Sequence, residues 1–136
     1  MTTIEEHKKI VDEFIEDINE KIKAELLVER QKIVGFAASE AASNLFAIFL
    51  HHENLVEPGF NVNHRYFSSE KIAKNKFNFD FPEKERIINL LVSQENYRNK
   101  ICYGREKQAG IVKSAVKNLF MLKDLIDSQI KKEEKE

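Results

Sequence analysis

Cysteine, proline and glycine are scarce in this chain of 136 residues, with one, two and four copies, and tryptophan is absent. The single Cys102 has no partner for an intramolecular disulfide and excludes a multi-thiolate metal site. That usage suits a reducing compartment, so the cytoplasm is the expected location. An excess of charge of one sign is also lacking, since 22 Lys and Arg face 23 Asp and Glu. No broad positive field draws in nucleic acid, nothing signals DNA, and an RNA site would have to be local. The start, Thr2-Thr3-Ile4-Glu5-Glu6, has neither the basic opening nor the apolar core of a signal peptide. The longest apolar-rich run, Leu45 to Leu50, is far short of the roughly 20 residues of a membrane span, so none is expected. Gly-rich phosphate loops, zinc-finger spacing and nucleophile elbows are missing too, and no cofactor is implied.

What remains is a chain 42% hydrophobic and 33% charged, the balance of helices with one apolar stripe and one solvated face. With few breakers it divides into long pieces, and residues 1–136 read as a single all-α domain, an antiparallel bundle of four main helices plus a short connecting helix. Thr3 and Glu6 make a capping box, followed by an apolar stripe from Val11 through Ile18 and Ile22 to Leu26 and Leu27. A second helix spans Ile33 to His51, where Gly35 and five alanines allow close approach of a neighbour. Residues 52–80 read as an ordered connection, with a short helix over Ser68 to Lys74 and anchors in Tyr66, Phe67, Phe77 and Phe79. Asp80, Pro82 and Glu83 predict the start of a third main helix through Ile101, after which Gly104 permits a break or a left-handed cap. Ile111 to Ile130 form the fourth, and 130–136 read as a frayed charged tail.

Several side chains invite a functional reading. His51 and His52 are adjacent on a helix, so they point about 100° apart and suit a helix C-terminus better than one shared metal ion. The acids of the first helix lack the paired Glu and Glu-x-x-His sets of di-iron bundles, and no metal ligand is assigned. Cys102 reads as a small buried hydrophobe. The segment Tyr97-Arg98-Asn99-Lys100-Ile101-Cys102-Tyr103-Gly104, between two long helices, carries the most information.

That segment, the Ala-rich second helix, the His64-Arg65-Tyr66-Phe67 stretch and the final amphipathic helix occur in an order that resembles the HEPN superfamily, from the second helix onward. The family motif is an Arg, a polar residue and a short spacer before a His. Arg98 and Asn99 match its first half, and Tyr103 stands where the His would be. The resemblance implies a homodimer in which Arg and His of two protomers meet and cleave RNA without metal, the His handling the 2′-hydroxyl proton and the Arg gripping phosphate. It also implies a small nucleotidyltransferase partner in a toxin-antitoxin or defence pair.

His titrates near pH 6.5 and Tyr near about 10, so Tyr103 is a poor base. Arg98, Asn99 and Tyr103, with His64 as a further phosphate contact, are therefore the expected ligand-binding residues of a catalytically weak RNA-binding, nucleotide-binding or partner-docking module. One alternative is a metal-independent endoribonuclease using Arg98 with Tyr103 or His64. Another is a purely structural bundle, in which Arg98 pairs with Glu95 or Glu106 and Tyr103 packs as an interface aromatic.

Overall fold

The structure is a computed structural model and describes residues 2–134. Its elements are α1 (Ile4–Lys23), α2 (Gln31–His52), a 3-10 turn (His64–Phe67), α3 (Glu70–Lys76), α4 (Lys84–Cys102) and α5 (Ala109–Glu134), with no strand among the described residues. The chain is thus an all-helical bundle of four long helices and one short one. α1, α4, α5 and the 3-10 turn all pack on α2, α4 also packs on α5, and α1 rests on α2 alone.

Local chemistry fixes most of the boundaries. Thr3 Oγ1 accepts from the Glu6 amide at 3.1 Å and Glu6 Oε2 accepts from the Thr3 amide at 3.1 Å, completing the expected capping box. α1 stops earlier than its apolar periodicity suggests. Glu25 turns left-handed (φ 57°), and the amides of Leu26 and Glu25 donate to Lys21 O and Ile22 O, closing the helix before Leu26 and Leu27. α2 closes the same way, with Asn54 at φ 56° and the amides of Leu55 and Asn54 donating to Leu50 O and His51 O. Ser69 Oγ accepts from the Ile72 amide at 3.1 Å and caps α3, which runs on to Lys76.

The start of α4 departs from expectation. Asp80 does not cap it; its Oδ1 accepts from the Phe81 amide at 3.1 Å, Pro82 precedes the helix, and left-handed Glu83 (φ 62°) stands at the N-cap. The reason is burial of Phe81 beside Phe46 and Phe49 (ring centroids 5.8 and 5.6 Å), which uses residues 80–83 as a turn. At the other end of the chain, helix continues past Ile130 to Glu134, and residues 135 and 136 of the expected tail lie outside the described residues.

α2 has the length and composition of a membrane-spanning helix, counted with its alanines, and is here the core of the bundle. Val34, Ala38, Ala41, Phe46, Phe49 and Leu50 on it are fully buried. At Gly35 a Cβ would lie 3.0 Å from Ile101 Cγ2 and 3.1 Å from Cys102 Sγ, so the absent side chain sets how closely α2 and α4 approach. Phe46 stacks on Phe49 of the same helix and meets Phe67 and Phe77 edge-on and Phe81 at a tilt, fastening the segment between α2 and α4 to the core. Phe46→Ala should cost about 3–5 kcal/mol. Urea unfolding of the variant followed by circular dichroism measures that loss, and a cost below about 1 kcal/mol would contradict the anchoring role.

Candidate functional site

The end of α4 is pinned to the start of α2. Gln31 Nε2 donates to Lys107 O (3.1 Å) and its Oε1 accepts from the Lys107 amide (2.7 Å). Lys32 Nζ donates to the carbonyls of Cys102 (3.3 Å) and Gly104 (3.1 Å), where orphan carbonyls of α4 need donors. Gly104 takes a left-handed φ of 77°, which supplies the expected break. The segment holding Arg98 and Tyr103 is therefore fixed by bonds at its end.

Arg98 lies across the α2–α4 groove. Its Nη1 donates to Glu40 Oε2 at 2.9 Å and to Ser39 Oγ at 3.1 Å, and its guanidinium carbon sits 5.0 Å from the centre of the Phe36 ring. The side chain is 12% exposed and Glu40 31% exposed, so the pair is sheltered yet reachable. The partner of Arg98 is thus Glu40, and neither Glu95 nor Glu106 pairs with it. Glu40 is the lone acid in the small-residue run from Ala37 to Ser43, and such a charge on a buried helix face demands a partner.

Glu95, one turn before Arg98 on α4, is buried and accepts from His64 Nδ1 at 2.8 Å. An ionised carboxylate only accepts, so Nδ1–H is the donor and this edge of the ring faces Glu95. An unpartnered buried charge costs several kcal/mol, so the contact holds the 3-10 turn on α4 as well as orienting the imidazole. Ser39, Ser43, His64, Gln94 and Glu95 share a closed seam too narrow for a water molecule, and Ser39 joins it to Arg98. Gln94 continues the polar line inward, donating to Ala115 O (3.0 Å) and accepting from Asn118 Nδ2 (2.8 Å).

Of the residues expected to bind ligand, Arg98 and His64 share this connected cluster, whereas Asn99 is exposed and Tyr103 is 64% exposed beyond the helix end. Tyr103 is not packed as an aromatic within the chain. Burial pushes the Cys102 thiol above its ordinary range against the opposing pull of Arg98 and Lys32, and its Sγ lies 3.4 Å from Lys32 O. Ile33 (53% exposed) and Phe36 (43%) lie on α2 near this end, and with Tyr103 they are three of the six exposed large hydrophobic side chains among the described residues; Phe36 is the one against Arg98.

The two adjacent histidines diverge. His51 Nε2 meets Phe60 O at 2.9 Å, and its ring stacks 5.7 Å from that of buried His7, whose Nδ1 meets Asn44 Oδ1 at 2.7 Å. His52 instead faces Glu53, Glu133 and Glu134, an arrangement that the sequence spacing of His51 and His52 did not suggest. No family model, curated protein or solved structure matches the chain.

Burial and the nearby Glu133 carboxyl push Glu53 from 4.5 up to about 7. A carboxyl with a raised folded pKa holds its proton more tightly in the folded state, so its stabilising contribution is full below pH 4.5 and is lost as pH rises through about 7. Thermal melts in EDTA should show wild type losing stability relative to Glu53→Gln across that window. Parallel pH profiles for the two proteins would contradict it.

Proposed function

We propose that this chain is a HEPN-like helical module that dimerises through the face around Phe36, Arg98 and Tyr103 and binds RNA or nucleotide phosphate there, with little nuclease activity. The observation that carries this reading is Arg98 itself: a sheltered guanidinium, aimed by Ser39 and Phe36, whose carboxylate partner, Glu40, is itself partly exposed. Phosphate competes with Glu40 for a donor fork that is already oriented, which favours bidentate contact over a loose surface charge. Exposed Ile33, Phe36 and Tyr103 give the same face the apolar area that a second protomer or a docked nucleotidyltransferase would cover. Tyr103 supplies a hydroxyl donor and no base near neutral pH, so binding outlasts cleavage in this reading.

One observation favours a second reading, an active metal-independent endoribonuclease. His64 is oriented by the buried Glu95 as a general base is, and it lines the same seam as Ser39, the hydrogen-bond partner of Arg98.

A mixed RNA pool in EDTA distinguishes the two. Wild type should bind the pool, measured by fluorescence anisotropy, and Arg98→Ala should weaken binding about tenfold or more, the worth of a charged hydrogen bond. Wild type should leave the RNA uncut, while Tyr103→His should cleave it. Cleavage by wild type that His64→Ala abolishes would establish the second reading, and an absence of RNA and nucleotide binding would sink the first.

A further inference from the structure

The ends of α2 and α5 assemble a second polar cluster, separate from the Arg98 face. His52 ends α2, Glu53 is its C-cap, and Glu133 lies in the last turn of α5. His52 Nδ1 is 3.8 Å from Glu53 Oε2 and 3.6 Å from Glu133 Oε2, and one ligand atom from each residue lies within 4.8 Å of the other two. The same Nδ1 is closed off from solvent and has no hydrogen-bond partner. A buried imidazole nitrogen facing two carboxylates without bonding to either is costly as it stands.

The separations are too long for hydrogen bonds but near the spacing of metal ligands. Tetrahedral ligands held at about 2.0–2.2 Å from an ion lie about 3.4 Å from one another, so the two separations from His52 Nδ1 need to close by only a few tenths of an ångström. Behind the ring, His52 Nε2 is 3.9 Å from Glu134 Oε1. That separation is too long for a hydrogen bond, but metal-binding imidazoles characteristically turn their second N–H toward a carboxylate, and Glu134 is placed to take that role.

We propose that His52 Nδ1, Glu53 and Glu133 bind one divalent transition-metal ion of the Zn2+ class, with Glu134 orienting the imidazole. One nitrogen and two carboxylate ligands suit Zn2+ better than Mg2+ or Ca2+, which take all-oxygen sets. Three protein ligands leave a fourth position for water. The ion ties α2 to the end of α5. Along α2 the site lies 12 residues beyond Glu40, about 18 Å at 1.5 Å per residue, so it does not depend on the RNA reading.

The full chain, stripped with EDTA and dialysed, is titrated with Zn2+ by calorimetry and with Co2+ by visible absorption. The expected result is one equivalent per chain, the intense visible bands of tetrahedral Co2+ and a higher melting temperature. Both His52→Ala and Glu133→Gln should lose all three signals, and Glu134→Gln should weaken affinity about tenfold. Glu133 is partly exposed, so its variant keeps the helical circular dichroism and isolates the ligand effect. No binding by wild type, or binding undiminished in both variants, overturns the site.

Discussion

α2 has no solvated face along its middle, and the arrangement of the other helices follows from that. Val34, Ala38, Ala41, Leu45, Phe46 and Phe49 are buried on different sides of it. A helix that is apolar all round is stable only when covered, and here α1, α4, α5 and the 3-10 turn cover it together. Small residues decide how near each cover can come: Gly35 admits Ile101 and Cys102, while bulky Phe46 and Phe49 meet the rings of the α2–α4 connection. Polar side chains on such a helix must find partners on its neighbours. Ser39 and Glu40 find Arg98, and Asn44 finds His7, so the core helix also dictates which charges meet.

Where sequence and structure agree, the signal is local. The Thr3 and Glu6 box, serine capping of α3 and the left-handed Gly104 each follow from chemistry within a few residues. Where they part, a distant contact wins. Asp80, Pro82 and Glu83 carry the marks of a helix start, yet burial of Phe81 among aromatic rings delays α4 to Lys84. Leu26 and Leu27 keep the period of α1, yet a left-handed Glu25 ends it. Arg98 stood out in the sequence as a candidate from its own segment, but its pairing with Glu40 did not, because contact across 58 positions depends on how α2 and α4 pack. The same holds for His52 and Glu133, whose meeting depends on α2 and α5 ending side by side.

The polar groups of the interior form two kinds of arrangement. Gln94 and Asn118 serve backbone carbonyls and each other, which fixes α4 against α5 without charge. Around Arg98 and His64 the partners are carboxylates, the partly exposed Glu40 for the first and the buried Glu95 for the second.

α1 rests on α2 and on no other helix. It can therefore lift away as one cooperative unit while the contacts of α4 and α5 with α2, the Glu40–Arg98 pair and the His64–Glu95 pair persist. Such an opening uncovers the α2 surface otherwise shielded by Val11, Ile15 and Ile18 and separates Phe14 from Phe36, 6.0 Å away on the Arg98 face. Amide protons of α1 then exchange ahead of those in the remaining helices.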